Sequence, residues 1–293
     1  MKTPFVPYSV AMITPFSEKG ELYLEGIPSL IHYYKKHDVP ALLISGSTGE
    51  QHSMTIEERS SFFHAVKKEA GNDLLLYGGV AAVQTKDAMA LAISAEEAGM
   101  DAIMLGFPPY LRINQQEAFS YVEKVCSVTT LPIMIYNNPL RTGFNLQVET
   151  LITLAKKFPQ IVAFKEAGDS SSVPIVKKQL GSAFTVLSGF DLNIFEDAKL
   201  GFDGITSILG NIFPGEIQTI IKAIQTGKEE EAKKQFNEIQ PFMESIIELG
   251  TLRPIKYLLE KHNIQAGICR EPLSTLSVEE KKIIEKVFSV ILK

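Results

Sequence analysis

Short apolar runs alternate with longer stretches of helical spacing along most of the chain, and Gly or Pro marks many of the boundaries between them. The runs are almost continuously apolar, which is typical of strands buried on both faces of a parallel sheet. They begin about 20 to 33 residues apart, the length of one strand–helix unit. The predicted strands are VAMITPF (10–16), ALLISG (41–46), LLLYGGV (74–80), AIMLGF (102–107), PIMIYN (132–137), IVAFKE (161–166), FTVLSG (184–189) and GITSIL (204–209).

The segments between these runs carry helix signals. Four apolar residues within 148–155 recur at i, i+3, i+4 and i+7, which places them on one face of a helix. Thr55 with Glu58, and Ser277 with Glu280, have the spacing of a capping box, in which side chain and backbone satisfy each other at a helix start. Both pairs precede stretches of helical periodicity, so both predict helix N-termini.

Eight strand–helix units predict a closed (β/α)8 barrel of the TIM type, whereas six would favour an open doubly wound sheet. The glycine fingerprint of dinucleotide-binding folds is absent, which also argues against the open sheet. We therefore expect the barrel to occupy residues 1–227. Residues 228–293 are expected to form a helical appendage packed on the barrel, with helices at 229–249, 252–263 and 278–291.

Composition narrows the range of functions. The chain has 293 residues, 45% of them hydrophobic, and a net charge of -5, which argues against a surface for nucleic acid or anionic membranes. No apolar run approaches the roughly 18 residues that a membrane span requires, and the N-terminus does not resemble a signal peptide. With only Cys126 and Cys269, a disulfide framework is not expected either. We expect a cytoplasmic protein.

Reactive side chains cluster where the predicted strands end. In barrels of this type the active site lies at the carboxyl ends of the strands, so these positions are the candidates for chemistry. They are Ser47 and Thr48 in the turn GSTGE (46–50), Tyr110 after the fourth strand, Tyr136 and Arg141 at the end of the fifth, Lys165 in the sixth, Gly189 after the seventh and Thr206 in the eighth.

Lys165 stands one residue before the end of a strongly apolar strand. Its side chain either faces the barrel interior or emerges as a solvated strand end, and the pattern alone leaves both open. In the interior, desolvation would lower its pKa from about 10.4 toward neutrality. An uncharged amine attacks a carbonyl carbon and forms an imine, so an interior lysine would be a nucleophile.

The other candidates each have a structural alternative. Tyr136 is either a core tyrosine or a proton shuttle beside the lysine. Backbone amides at Ser47 and Thr48 suit a small carboxylate, although glycine-rich turns are common in barrels. Arg141 either binds a second carboxylate through both guanidinium nitrogens or is simply solvated.

No metal or nucleotide cofactor is expected. The five histidines show no metal-ligand spacing, and no phosphate-binding loop sequence occurs. An enzyme without such a group must rely on its own side chains, which again points to the lysine.

Three motifs in order, GSTGE at 46–50, YNNPLRTG at 136–143 and FKEAGD at 164–169, resemble the dihydrodipicolinate synthase and N-acetylneuraminate lyase superfamily. The resemblance spans the whole chain. It implies that Lys165 forms an imine with pyruvate, that Tyr136 relays protons, and that the Ser47 and Thr48 pair joins the relay and binds the pyruvate carboxylate.

The same resemblance assigns further positions. It implies that Tyr110 reaches into the active site of a neighbouring subunit, which requires a homo-oligomer, a dimer or a tetramer. It also implies that Gly189 and Thr206 line the pyruvate pocket. Arg141 matches the synthase branch, in which this arginine holds the carboxylate of L-aspartate semialdehyde.

Several positions differ from the synthase pattern and leave the aldehyde partner open. Ser47 stands where threonine is typical, Phe190 where aspartate is common, and Thr206 where an aliphatic residue is usual, and 252–256 lacks the Asn-Pro pattern. Condensation of pyruvate with aspartate semialdehyde is expected first. The alternatives are a 2-keto-3-deoxy sugar-acid aldolase or dehydratase, N-acetylneuraminate lyase, and a non-catalytic barrel that binds a keto acid.

We expect free lysine to inhibit this protein weakly or not at all. The position matching the tyrosine of the lysine-feedback site is Pro109, and the stretch 80–83 offers no asparagine for the other expected contact. Titrating lysine into a steady-state assay checks this. An inhibition constant well below millimolar would contradict the expectation.

Overall fold

The computed structural model describes residues 3–288. Eight parallel strands pair in sequential order, and the last pairs with the first to close a barrel. The predicted TIM-type (β/α)8 barrel is therefore confirmed. Its strands are β1 (Tyr8–Ala11), β2 (Ala41–Ile44), β3 (Leu75–Gly79), β4 (Ala102–Gly106), β5 (Ile133–Asn137), β6 (Ile161–Glu166), β7 (Thr185–Ser188) and β8 (Gly204–Ser207).

Helices surround the barrel and continue beyond it. The two predicted capping boxes are present, Thr55 with Glu58 and Ser277 with Glu280, each with reciprocal side-chain and backbone hydrogen bonds. The helices are α1 (Ile27–Lys36), α2 (Ile56–Ala70), α3 (Thr85–Glu97), α4 (Gln115–Cys126), α5 (Pro139–Thr142), α6 (Val148–Lys157), α7 (Val173–Leu180), α8 (Ile194–Lys199), α9 (Pro214–Gln225), α10 (Glu229–Glu248), α11 (Leu252–Lys261) and α12 (Val278–Phe288).

The first strand begins earlier than its apolar run suggests. The prediction was 10–16, but β1 includes Ser9, which pairs in register with Thr206 of β8 and hydrogen-bonds to it side chain to side chain. The second half of the run is buried without being a strand of the barrel. There Phe16 makes an isolated bridge with Gly267 from the C-terminal part. Met12, Ile13 and Phe16 belong to the apolar core although they follow the end of β1. Their hydrophobic pattern therefore resembles that of a strand in the sequence.

The barrel interior is packed at the end where the strands begin. An apolar cluster inside it includes Phe5, Tyr77 and Val162, separate from the larger core between the strands and the helices. The Tyr77 hydroxyl donates to the carbonyl of Pro4 at 2.9 Å and accepts from the amide of Val6 at 3.1 Å. Because this end is filled, ligand-sized space inside the barrel lies toward the carboxyl ends of the strands.

The chain beyond α9 forms three helices against the barrel, α10, α11 and α12. The predicted helix at 278–291 corresponds to α12, and positions 289–291 lie outside the described residues. Phe288 stacks on Phe213 with ring centroids 5.8 Å apart, and Arg253 pairs with Glu280 at 2.9 Å. Among residues 3–288, no helix has the length and apolar character needed to cross a bilayer.

A buried ion pair joins α11 to the turn that follows β2. Lys256 Nζ lies 2.6 Å from Glu50 Oε1, and both side chains are almost fully buried. The ammonium also donates to the carbonyls of Thr14 (2.7 Å) and Ile268 (2.6 Å), and the second carboxylate oxygen accepts from the Arg270 amide at 2.9 Å. Each charge therefore has the partners that compensate for its loss of water.

We expect Lys256→Met to lower the free energy of unfolding by about 3–5 kcal/mol, because the Glu50 carboxylate would remain buried without its cation. Urea denaturation of the purified variant measures the change. The control is Lys199→Met, which removes the exposed pair with Glu196 at 2.8 Å and should have little effect. An equal loss of unfolding free energy in the two variants would contradict a stabilising role for the buried ion pair.

Candidate active site

A cavity of about 360 Å³ opens at the carboxyl end of the barrel. Six of the eight candidates from the sequence line it, although they come from four different strand–helix connections. They are Ser47 and Thr48 after β2, Tyr136 in β5, Arg141 in α5, Lys165 in β6 and Gly189 after β7.

Lys165 faces the barrel interior, so the solvated alternative is wrong. The residue is 4% exposed and lies beside Tyr136 in the paired strand β5, with its Nζ 4.8 Å from the centre of the tyrosine ring. Burial lowers the pKa of the Lys165 amine to about 8; the carboxylate of Asp191 opposes that shift and the charge of Arg141 adds to it. Roughly a tenth of the amine is therefore uncharged at pH 7, far more than for a lysine with the usual pKa of about 10.4.

Gly189 makes room for the lysine side chain. A β-carbon at this position would lie 2.7 Å from the Cβ of Ala167 and 3.2 Å from the Cε of Lys165. The glycine amide donates to the carbonyl of Glu166 at 3.0 Å, which fixes the backbone close to β6. A larger residue would clash with Ala167 and crowd the end of the lysine side chain.

The Tyr136 hydroxyl is held by a neighbour that the sequence analysis did not identify. Asn138 donates to it from Nδ2 at 2.7 Å, while its Oδ1 accepts from the amide of Arg141 at 3.2 Å. Burial raises the pKa of Tyr136, and Asn138, Arg141 and the Ser47 hydroxyl act in the opposite direction. Asn138 follows β5 directly. Its place at the end of a strand was the one feature of the sequence that could have indicated a role in the site.

Ser47 and Thr48, in the turn after β2, line the cavity. Within residues 3–288, the amides of Ser47 and Thr48 donate to no protein acceptor. Arg59 holds the turn from behind, donating to the Ser45 hydroxyl at 2.9 Å and to the carbonyl of Gly79 at 2.7 Å. Amides without a protein acceptor, in residues that line a cavity, are available to bind a small anion.

Arg141 stands at the mouth of the cavity with its guanidinium exposed. Its backbone amide donates to the side chain of Asn138, the N-cap of α5, but its own side chain has no hydrogen bond or ion pair in the described part of the chain. The group is therefore free to bind an anionic ligand through two parallel hydrogen bonds.

Two candidates do not line this cavity. Tyr110 is 94% exposed in the loop after β4, with a backbone φ of 76°. Thr206 faces the interior of the barrel but lies beneath the cavity, where its hydroxyl accepts from Ser9 at 3.0 Å. It is not among the residues that line the cavity, so its expected role in the pocket stays a prediction.

Asp191 was not identified in the sequence analysis. It is a buried carboxylate whose charge raises the pKa of Lys165. It accepts hydrogen bonds from the Ser207 hydroxyl and from the amide of Ile208, the latter at 3.0 Å. Burial raises the pKa of Asp191, and its hydrogen bonds and Lys165 oppose that shift. Its position at the start of a short 3-10 helix gave no sign that it would be enclosed.

No set of three His, Cys, Asp or Glu side chains is arranged to hold a metal ion anywhere in 3–288.

The family model, the sequence relatives and the solved structures that resemble this chain all point to the same family. The model of the dihydrodipicolinate synthetase family matches residues 5–291. The chain is 32% identical over 282 residues to the 4-hydroxy-tetrahydrodipicolinate synthase of Bacillus subtilis strain 168, covering 96% of this chain and 97% of that enzyme. It is 31% identical over 280 residues to the enzyme of the same name from Prosthecochloris aestuarii, covering 95% and 94%. The crystal structure of dihydrodipicolinate synthase from Aquifex aeolicus superposes with a TM-score of 0.93 at 28% identity, covering 98% of each chain.

We expect Lys165 to lose its proton near pH 8, since burial lowers its pKa to about 8. A fully exposed lysine loses its proton at about pH 10.4. The amine is therefore charged below pH 8 and becomes increasingly nucleophilic as the pH rises through that value. A 13C NMR titration of lysine Cε shifts measures this, with Lys165→Met to assign the signal. A Lys165 signal that titrates only above pH 10 would contradict the assignment.

Proposed function

The chain belongs to the dihydrodipicolinate synthetase family, and from that premise we propose that it joins pyruvate to L-aspartate semialdehyde through an imine on Lys165, as a 4-hydroxy-tetrahydrodipicolinate synthase of lysine biosynthesis. The observation that carries the proposal is an amine of pKa about 8 at the floor of the cavity. The proposed location is the cytoplasm.

The first step is attack of the uncharged Lys165 amine on the pyruvate ketone carbon, after which water leaves and an imine remains. The amides of Ser47 and Thr48 bind the pyruvate carboxylate. The space that Gly189 leaves beside the lysine Cε lets the side chain reach the ketone.

Proton transfers during these steps are assigned to Tyr136 and the Ser47 hydroxyl. Tyr136 lies beside the amine in the paired strand, and Asn138 orients its hydroxyl. Tyr110 completes the relay from a neighbouring subunit. Its exposed ring and its position outside its own chain's cavity support that assignment, which makes the active form a homo-oligomer, a dimer or a tetramer.

Bond formation follows loss of a proton from the pyruvate methyl group, which turns the imine into an enamine. The enamine carbon attacks the aldehyde carbon, and the new hydroxyl takes a proton. Arg141 holds the carboxylate of the aldehyde substrate during this step. The amino group of the aldehyde substrate then attacks the imine carbon and displaces the Lys165 amine, which closes the ring of the product and frees the lysine. The iminium is the electron sink, so the proposed mechanism needs no cofactor.

Turnover of pyruvate with L-aspartate semialdehyde tests the proposal. The assay couples the reaction to dihydrodipicolinate reductase and follows the loss of NADPH. We expect a kcat/KM of about 10⁴ M⁻¹s⁻¹ or more, an ordinary value for a physiological substrate. Lys165→Met should abolish turnover, whereas Tyr136→Phe should lower kcat by about 10²–10⁴-fold, the range for a lost acid–base group.

An inactive wild-type protein in this assay would overturn the proposed acceptor substrate. Turnover that survives Lys165→Met would overturn the imine mechanism itself.

A further inference from the structure

A second cavity lies on the outside of the barrel, where α1, the start of α9 and the ends of α11 and α12 meet. This outer cavity has a volume of about 600 Å³. Within the described chain it shares no lining residue with the candidate active site. Small-molecule sites in proteins typically measure about 300–1,000 Å³ and combine an apolar surface with a few polar groups. The outer cavity therefore has the size of a binding site for a small molecule.

The floor of the outer cavity is apolar. Phe213 and Leu259 are buried, and Phe288 stacks on Phe213 with ring centroids 5.8 Å apart. Ile212 and Ile264, both half-buried, extend this surface. An apolar group of a ligand that packs on it is removed from water, which favours binding.

One face of α1 supplies polar groups to the rim. The lining residues on this face recur at i, i+3, i+4 and i+7, and they are Ser29, His32, Tyr33 and Lys36. Lys36 is exposed, and its ammonium has no hydrogen-bond or ion-pair partner among residues 3–288. The preceding Lys35 differs, because it pairs with Asp73 at 2.8 Å and does not line the cavity. Lys36 therefore offers an unpaired cation to whatever the cavity holds.

Glu216 brings the opposite charge from the first turn of α9. Burial raises the pKa of the Tyr33 phenol, and the charge of Glu216 adds to that shift, so the carboxylate lies close to this side of the cavity. The Tyr33 hydroxyl itself donates to the carbonyl of Ile212 at 3.3 Å. Glu216 is exposed and makes no hydrogen bond or ion pair in the part of the chain that the structure describes. The cavity thus presents a lysine and a glutamate that pair neither with each other nor with a described neighbour.

We propose that the outer cavity binds a free amino acid with an apolar side chain. Its carboxylate pairs with Lys36, its ammonium pairs with Glu216, and its side chain packs on the apolar floor. The rim also offers His32, His262 and Asn263 as further donors or acceptors. A ligand with a single charge would leave one of the two wall charges unpaired. This binding site goes beyond the proposed function and does not depend on it.

L-Phenylalanine is the probe, and a ligand-observed NMR titration of the full chain measures its affinity. We expect a Kd of about 1 mM or lower, an ordinary value for a ligand of roughly a dozen non-hydrogen atoms. Two matched analogues remove one charge each: 3-phenylpropanoate lacks the ammonium, and 2-phenylethylamine lacks the carboxylate. Each should bind about fivefold more weakly, the upper range for one exposed charge pair. An analogue that binds as tightly as L-phenylalanine would overturn recognition by two charges.

Two variants assign each charge to its partner. Lys36→Met should weaken L-phenylalanine about fivefold and leave 2-phenylethylamine unaffected, because that analogue has no carboxylate. Glu216→Gln should weaken L-phenylalanine similarly and should not weaken 3-phenylpropanoate. The control is Lys35→Met, which removes a neighbouring cation outside the cavity and should bind as the wild-type protein does. Equal weakening of all three ligands in either variant would contradict the assigned contacts.

A final comparison separates the outer cavity from the active site. Excess pyruvate, and the variant Lys165→Met, should leave the Kd of L-phenylalanine unchanged. Competition by pyruvate, or loss of binding in Lys165→Met, would place the amino acid in the active-site cavity and overturn the proposal. Absence of binding to the wild-type protein would also overturn it, while the proposed function would stand.

Discussion

Burial of one lysine in the apolar interior of the barrel is the constraint on which the rest of the site depends. Desolvation makes the charged form of Lys165 costly and brings its pKa to about 8, while Asp191 limits the shift. Gly189 supplies the space for the side chain, and Tyr136 covers it from the neighbouring strand. A lysine at a solvated strand end would keep its proton and could not act as a nucleophile near neutral pH.

The C-terminal helices contribute to the site without lining it. Lys256 of α11 pairs with Glu50 in the same turn that carries Ser47 and Thr48, and Arg59 holds that turn from α2. Two buried cations therefore fix the backbone amides that face the cavity. The Lys256–Glu50 pair therefore supports the proposal that the helical appendage after residue 227 is packed on the barrel.

The sequence was informative where local pattern and strand position determine the outcome. Lys165 was identifiable because it interrupts an apolar strand at the end where barrel enzymes place their chemistry. Asn138 and Asp191 were missed because their importance arises from loop geometry, which periodicity does not encode. Lys256 was not recognised because its partner, Glu50, lies some 200 positions away in the chain. Long-range contacts between polar groups are what a single sequence leaves undetermined.

Reductive trapping tests the central claim most directly. The protein is incubated with pyruvate, reduced with borohydride, digested, and its peptides are mapped by mass spectrometry. We expect one stable adduct, on Lys165, and none in Lys165→Met. Absence of an adduct in the wild-type protein, or an adduct that persists in the variant, would contradict an imine at this position.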